Sequence, residues 1–346
     1  MSDAVAAHFD RQARACDGMG SPFTAALCRL LIATLDHETE TGRTVLDWPG
    51  DPFADALALR LCGGLHALVL GDADAALADC YPPEGDPQRL ADILPGVIAR
   101  HDVRLAAGLA NAPQTNEIAR SAALYPGLLE IARQTRLPLA LNEIGASAGL
   151  NLLADRFGYR YNTLETGDRD SAVSLAPEMR GSRLPDPRGQ LTIASRRGCD
   201  IAPLAVADPA ARLRLRSYIW PDQPERLQRL DAAIALTAST PFSLVAGDAA
   251  GFVGESLAGR RLGQAFVLFH SVMWQYLPDA TQDAISEALD RAGNAATRDA
   301  PIAWLRMEGL GGVEPHAGLR LTLWPGGETR LLAHCDWHCR WIEWLA

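Results

Sequence analysis

A stretch of small and acidic residues carries the clearest chemical signal in the chain. Glu143, Gly145, Ser147 and Gly149 stand at every second position, directly after the apolar start of Leu139–Ile144. Apolar residues at helical spacing follow, so the order is strand, tight turn, helix, which opens a βαβ unit. Alternating glycines let the chain bend sharply and let a ligand approach the backbone, while the next helix would present unpaired N–H groups. The pattern predicts a binding site at the carboxyl end of a buried strand.

Polar residues also follow other predicted strands farther along the chain. Asp200 comes after Gly198-Cys199, Asp248-Ala249 follows the strand at residues 242–246, and His270 follows the strand at residues 265–269. The carboxyl ends of parallel strands meet at one edge of a sheet, where ligands of open α/β sheets bind. We expect these residues near the glycine loop. His270 is the candidate base because its unperturbed pKa lies near neutrality, with Tyr276 beside it at the acceptor.

Two regions with different patterns must position these residues. Residues 1–135 read as an all-helical domain, with Ser21-Pro22 and Asp51-Pro52 as helix starts and Pro95 as a kink or break. Residues 136–346 alternate strands with helices, apart from a polar insertion near residues 158–197, and they end in a hairpin around Pro325-Gly326-Gly327. The predicted fold is therefore α/β, with a mostly parallel sheet, a C-terminal antiparallel hairpin and a helical N-terminal domain.

Composition excludes several classes of function. The 346 residues are 48% hydrophobic and 21% charged, and the formal charge of -10 argues against nucleic acid or an anionic membrane as a partner. We therefore expect a small-molecule ligand. The Arg196-Arg197 and Arg260-Arg261 pairs read as solvated surface. Every basic residue is arginine, which excludes Schiff-base chemistry, a P-loop lysine and a Ser-Lys dyad.

The number of cysteines and the distribution of charged residues predict where in the cell the protein is located. The N-terminal residues carry dispersed charges without a signal-like apolar core, and charged residues or histidine interrupt each apolar segment before it reaches membrane-spanning length. Seven cysteines in a chain of this length suggest reduced thiols and a cytoplasmic protein. Four potential ligands crowd into the C-terminal run His334, Cys335, His338 and Cys339. Such crowding cannot surround one zinc ion tetrahedrally, so we predict no metal site.

The glycine loop resembles the acidic-x-Gly-x-Gly-x-Gly loop of S-adenosylmethionine-dependent methyltransferases, with serine at the middle glycine. The resemblance implies S-adenosylmethionine as the cofactor and a Rossmann-like methyltransferase fold. The implied cofactor-binding residues are Glu143, Gly145, Ala146, Ser147, Gly149, Asp200, Asp248 and Ala249. In that family the acid after the second strand binds the ribose hydroxyls, which points to Asp200. The later acid accepts from the adenine amine, which points to Asp248.

The same loop also fits a different enzyme. Gly145-x-Ser147-x-Gly149 has the form of the nucleophile elbow of an α/β-hydrolase. Asp248 and either His270 or His316 would complete a triad in the required order. Such an esterase needs several strands before its elbow, whereas the preceding region reads as helical, and no His-Gly-Gly loop lies upstream. A plainer role for Ser147 is to cap the next helix. A non-catalytic ligand-binding protein is the third alternative.

Motifs along nearly the whole chain resemble the bacterial domain of unknown function 2332 family. The segments are PQTNEIARSAALYPGLL, LPLALNEIGASAGLNLLADRFGYRY, ASRRGCDIAPL, YIWPDQPERLQRLDAAI, GDA, FHSVMWQYLP and HCRWIEW. By motif position the resemblance points to Asn116, Glu117, Arg120, Glu143, Ser147, Gly149, Asn151, Asp155, Asp248, His270 and His338. The first three would bind the methyl acceptor, between the helical domain and the strand ends. The family continues His-Gly where this chain has His338-Cys339.

Overall fold

The computed structural model describes residues 3–311 and 316–346. Its helices are α1 (Asp3–Gly18), α2 (Pro22–Thr34), α3 (Glu40–Leu46), α4 (Leu57–Leu70), α5 (Ala75–Ala78), α6 (Leu90–Arg100), α7 (Asp102–Gly108), α8 (Ser121–Thr135), α9 (Pro209–Ser217), α10 (Pro224–Leu236), α11 (Ala249–Ala258) and α12 (Asp279–Asn294). Short 3-10 helices lie at Pro87–Arg89, Ile118–Arg120, Leu150–Arg156 and Trp274–Tyr276. No helix among these residues is long and apolar enough to cross a membrane.

The strands are shorter and lie mainly in the second half of the chain. They are β1 (Leu139–Ile144), β2 (Gly158–Tyr161), β3 (Leu164–Gly167), β4 (Ser174–Leu175), β5 (Glu178–Arg180), β6 (Ile193–Asp200), β7 (Ser243–Ala246), β8 (Ala265–Ser271), β9 (Ile302–Gly309), β10 (Ala317–Trp324), β11 (Glu328–Cys335) and β12 (Trp341–Trp344). Within the described residues, nine of them form one sheet in the order β5-β12-β11-β10-β9-β8-β1-β6-β7. The other three form a small sheet in the order β3-β2-β4.

The chain separates into two compact units. The first contains residues 1–115 and 205–228, and the second contains residues 116–204 and 229–346. From the sequence we placed the boundary at residue 135; in the structure, residues 116–135, which include α8, group with the sheet. The segment predicted as an insertion forms β2 to β5 and most of β6.

The first unit is built from helices whose leucines face a common core. Pro22 is the first residue of α2, as predicted, whereas α4 begins at Leu57 rather than near Pro52, after a turn in which Ala56 has φ 50°. Pro95 lies inside α6 and does not break it; the helical run is interrupted at His101 instead. A proline removes one main-chain hydrogen bond, and buried side chains on both sides of Pro95 hold the helix together.

The large sheet of the second unit has the topology that places a ligand site. Five neighbouring strands run parallel to one another, in the order β7-β6-β1-β8-β9. Antiparallel pairing then joins β9 to β10, β10 to β11 and β11 to β12. From β1 the chain extends the sheet through β6 and β7, then returns to add β8 on the other side of β1. The order reverses between β1 and β8, which is the crevice where doubly wound sheets bind ligands.

Burial follows from this order. All seven residues of β8 and five of the six in β1 are buried, and because successive side chains point to opposite faces, both faces of these strands are covered. The mostly parallel α/β sheet and the β10–β11 hairpin confirm the predicted fold class. β5 and β12 extend the sheet beyond the hairpin and were not predicted.

Candidate functional site

The turn after β1 is held by left-handed backbone. Gly145, Ser147 and Gly149 have φ of 63°, 53° and 73°. The segment that follows is a seven-residue 3-10 helix, not the predicted α-helix, and it begins from Gly149 without a side-chain cap. Ser147 is therefore not the helix cap suggested by the sequence. The α-helical N-terminus expected after this turn is therefore replaced by a 3-10 helix of seven residues, which is too short for an extended helix dipole.

The turn buries two polar atoms without partners. Glu143, at the end of β1, is 2% exposed, and its Oε2 has no hydrogen-bond partner. Ser147 is 4% exposed, and its Oγ is also unpaired. Burial raises the pKa of Glu143 well above its usual value; a hydrogen bond with Asn151 acts in the opposite direction, as does the charge of Arg120, while the charge of Asp200 adds to the increase. Burial therefore favours the protonated form of the Glu143 carboxyl, which can donate as well as accept.

Asp200 fastens this turn to the neighbouring strand. It ends β6, and its Oδ2 accepts a hydrogen bond from Ser147 N at 2.8 Å, while Oδ1 accepts from Ala202 N at 3.0 Å. Ala146 N donates to the carbonyl of Cys199 at 3.0 Å. The structure thus brings Asp200 to the glycine loop, as predicted, and gives it a structural task there.

Asp248 follows β7 and caps a helix. Its Oδ2 accepts from Gly251 N at 2.8 Å, which makes it the N-cap of α11, with Ala249 as the first helical residue. The side chain is exposed. Gly247 N donates to the carbonyl of Asp200 at 3.0 Å, so the ends of β6 and β7 are joined directly. Asp248 therefore lies at the same sheet edge as Glu143 and Asp200.

The three predicted acceptor residues belong to the second unit rather than to the helical one. Asn116 Oδ1 accepts from Leu150 N at 2.9 Å, which ties the residue to the start of the 3-10 helix. Arg120 donates from Nη1 to the carbonyl of Ser271, at the end of β8, at 3.2 Å. Glu117 is buried and accepts from Ala119 N at 3.2 Å through Oε1. Asn116 and Arg120 thus hold their segment against the crevice.

His270 is fully buried in a network of its own. The indole Nε1–H of Trp304 donates to His270 Nε2 at 3.1 Å, so the neutral ring carries its proton on Nδ1 and donates to Glu308 Oε1 at 2.7 Å. The ring also stacks on Trp274 at 5.0 Å between centroids. Both ring nitrogens are used, which leaves none for a substrate. The role of His270 as a base stays a prediction without support from this geometry.

Glu308 lies in the site but is not among the residues predicted from the sequence. It lies near the end of β9, and its Oε1 also accepts from the backbone N–H of Met273 at 3.1 Å and of Trp274 at 3.3 Å. The sequence contains a signal for it, because Glu308 is an acid directly after the mainly apolar run at residues 301–307, just as Asp200 and Asp248 follow apolar runs. Tyr276, the other predicted catalytic residue, is 74% exposed in the short helix after β8.

The hydrolase alternative does not find its triad in this structure. Among the described residues, Ser147 Oγ has no hydrogen-bond partner, and Asp248 caps α11. His270 bonds to Glu308 and Trp304, and His316 Nε2 lies 3.1 Å from His334 Nδ1. In addition, β1 is the first strand in the part of the chain that the structure describes, whereas an elbow serine follows several strands. The serine, aspartate and histidine are all present, but they do not form a charge-relay chain.

The C-terminal histidines and cysteines contact different neighbours. His334 Nδ1 lies 3.1 Å from His316 Nε2, whereas Cys339 Sγ contacts Met307 Sδ at 3.8 Å. Within residues 3–311 and 316–346 no group of three or more potential ligands could hold a metal ion.

The fold and this edge define a doubly wound α/β protein whose buried acid and glycine turn lie at the switch point of the sheet. Residues 6–344 match the family profile described as "Uncharacterized protein conserved in bacteria (DUF2332)". The chain belongs to this family. Comparison with curated proteins finds no match, and comparison with solved structures finds none either.

Proposed function

We propose that this protein binds S-adenosylmethionine at the carboxyl edge of β1, β6 and β7 and transfers its methyl group to a small acceptor. The observation that carries the proposal is the pair of buried, unpaired atoms at the switch point, Glu143 Oε2 and Ser147 Oγ. A buried polar atom without a partner costs about 1–3 kcal/mol, which a ligand with matching groups would recover.

The chemistry of the edge fits this ligand. S-adenosylmethionine has a cationic sulfonium, hydroxyl donors on its ribose and an amine on its adenine; when bound, it supplies an electrophilic methyl group. The edge offers the carboxylates of Asp200 and Asp248 as acceptors and the carboxyl of Glu143 as donor or acceptor. A side chain at Gly145 would put its Cβ 2.8 Å from Met273 Cγ, so the turn has no room for one. Methionine is flexible and can repack around a ligand.

The strand order supports the same proposal. The five parallel strands β1, β6, β7, β8 and β9 can be numbered 1 to 5 in chain order. Across the sheet they then lie in the order 3-2-1-4-5, and the antiparallel strand β10 follows. This arrangement resembles the sheet of Rossmann-like methyltransferases. Asn116 and Arg120 border the edge at the 3-10 helix and at the end of β8, where an acceptor would meet the methyl group.

Titration with S-adenosylmethionine and S-adenosylhomocysteine, by calorimetry and thermal shift, tests binding. Binding to the folded state should stabilise it by about 2.7 kcal/mol at a hundredfold excess over Kd. Asp248→Ala should weaken both ligands, but it also removes the cap of α11. Asp248→Asn retains an oxygen for the cap while removing the charge, so weaker binding by this variant with an unchanged melting temperature identifies a ligand contact.

Asp283→Asn is the matched control, because Asp283 is an exposed acid on α12. We expect its affinity for both ligands to equal that of the wild type. No binding by the wild type at millimolar ligand would overturn the proposal. Binding without methyl transfer to any acceptor would indicate the ligand-binding alternative instead.

Ser147→Ala separates the methyltransferase from the esterase. We expect the variant to fold, because the hydroxyl makes no hydrogen bond among the described residues. It should still bind the ligand, but more weakly by the one hydrogen bond that is lost, about 0.5–1.5 kcal/mol. An esterase would lose its nucleophile and nearly all turnover. Covalent labelling of Ser147 in the wild type by a fluorophosphonate probe, absent in the alanine variant, would favour the esterase.

A further inference from the structure

A second cavity lies at the opposite edge of the large sheet. Its volume is about 240 Å³, and its lining includes Ala140 near the amino end of β1 and Gln264 just before β8. Three arginines line it as well: Arg197 from β6, and Arg260 and Arg261 from the segment after α11. We propose that this cavity binds a small phosphate-bearing anion. The inference does not rest on the proposed methyltransferase activity.

The arginines leave positive charge available to a ligand. Arg197 Nη2 pairs with Glu255 Oε1 at 2.9 Å, whereas Arg260 donates from Nη1 to the carbonyl of Leu257 at 3.0 Å and has no carboxylate partner. Arg261 is exposed and has no partner among the described residues. Three guanidinium groups and one paired carboxylate leave two uncompensated positive charges. This is unusual in a chain whose formal charge is -10.

Phosphate is the anion that fits these groups. The planar guanidinium donates two parallel hydrogen bonds to phosphate oxygens, and a phosphate group carries close to the two negative charges that the cavity can neutralise. The hydroxyls of Ser195 and Ser256 add uncharged donors to the lining. Pockets for drug-sized ligands range from about 300 to 1,000 Å³, so this cavity suits one or two phosphate groups with little attached.

From the sequence, the Arg196-Arg197 and Arg260-Arg261 pairs are predicted to be separate parts of the solvated surface. The fold instead brings three of these four arginines into one cavity. Arg196 and Arg197 are successive strand residues with opposite orientations: Arg196 donates to the carbonyl of Leu152 at 3.1 Å, and Arg197 lines the cavity. The turn after α11 then brings Arg260 and Arg261 to the same place. The cluster forms only because β6 and the start of β8 flank β1.

Inorganic pyrophosphate is the probe, titrated by calorimetry and thermal shift at low ionic strength. We expect it to raise the melting temperature of the wild type, and the double variant Arg260→Gln/Arg261→Gln to bind at least about tenfold more weakly. The control is Arg291→Gln/Arg298→Gln, which removes the same charge from exposed or partly exposed arginines elsewhere in the same unit. The ligand-free melting temperatures of both variants show whether each is folded.

Citrate, titrated in parallel, distinguishes phosphate recognition from attraction to any multivalent anion. The proposal expects citrate to bind more weakly than pyrophosphate. Three results would each overturn the proposal: equal binding of the two anions, equal weakening by both double variants, or no binding of pyrophosphate at about 1 mM, roughly a thousandfold above a micromolar Kd. Affinity for S-adenosylmethionine should be the same in both double variants, which keeps this test separate from that of the proposed function.

Discussion

The ionisation of the Glu143 carboxyl should make the free energy of unfolding depend on pH. Its folded-state pKa is raised by burial, so between about pH 4.3 and that value the folded state retains a proton that the unfolded state has lost. Its stabilising contribution is therefore complete below about pH 4.3 and is lost as pH rises towards the folded-state pKa. We expect Glu143→Gln, which cannot ionise, to lack this loss.

Urea unfolding of both proteins across pH 4 to 8, a range set by the unfolded-state pKa of about 4.3, checks this prediction. The stability of the variant relative to the wild type should increase with pH, by at most about 1.4 kcal/mol per pH unit for one proton. Parallel pH profiles for the two proteins would show that Glu143 is ionised in the folded state.

Gly149 is a position where the backbone requires glycine. Its φ is 73°, and a Cβ there would lie 2.6 Å from Phe242 Cε2. We expect Gly149→Ala to destabilise the protein by about 1–2 kcal/mol from the left-handed conformation alone, with the contact to Phe242 adding to this. Gly149→Val should cost more, since its branched side chain is larger and stiffer.

Gly254→Ala is the matched control, measured by the same chemical unfolding. Gly254 lies inside α11, and a Cβ there would meet nothing within 4 Å. Alanine should stabilise this helix by about 0.4–1 kcal/mol. Equal effects at the two positions would mean that the turn after β1 does not need its left-handed residue.

At the scale of elements, Glu308 joins the end of β9 to the segment after β8. Its Oε1 accepts from His270 and from two backbone N–H groups, those of Met273 and Trp274. Glu308→Ala would leave these donors without an acceptor, at about 1–3 kcal/mol for each that stays buried. We expect a marked loss of stability, and lower ligand affinity because Met273 packs on Gly145.

Glu308→Gln keeps one acceptor oxygen and should retain much of the stability. Chemical unfolding of the three proteins measures the difference, and the fluorescence of Trp274 and Trp304 reports whether the segment has moved. If alanine and glutamine are equally damaging, the charge of Glu308 matters rather than its hydrogen bonds.

At the scale of the whole sheet, protection from solvent should be highest at its centre. β1 has a parallel strand on each side, whereas β7 has one partner and no fully buried residue. We expect the amides of β1 and β8 to exchange with deuterium only when the second unit unfolds, and those of β7 to exchange by local opening. Hydrogen-exchange mass spectrometry checks this, and equal protection of β7 and β1 would contradict it.

Local sequence was sufficient for features that depend on local physics. The bounds of β1, the hairpin of β10 and β11, and the glycine turn were all predicted, because apolar runs and turn residues determine them. The edge position of Asp200 was also predicted, although its bond to Ser147 N was not. Strand β5 and strand β12 were missed because each is short and depends on a distant partner.

Contacts with residues distant in the sequence also explain why the roles predicted for His270, Asn116 and Pro95 differ from those in the structure. Nothing in the residues around His270 shows that Trp304 and Glu308 occupy both of its nitrogens, since these partners are 34 and 38 positions away. Likewise, the grouping of Asn116 with the sheet depends on its bond to Leu150 N rather than on helical pattern. The kink or break predicted at Pro95 does not interrupt α6, because tertiary packing of the residues around Pro95 stabilises the helix.

Both outer strands of the nine-stranded sheet are short. β5 has three residues and β7 has four, while interior strands such as β9, β10 and β11 have eight. An open sheet otherwise offers rows of unpaired peptide groups on which other chains can build. Here each outer row is too short to hold a foreign strand in register. Amyloid-like assembly of this protein would therefore have to begin from chains that have already lost β5 or β7.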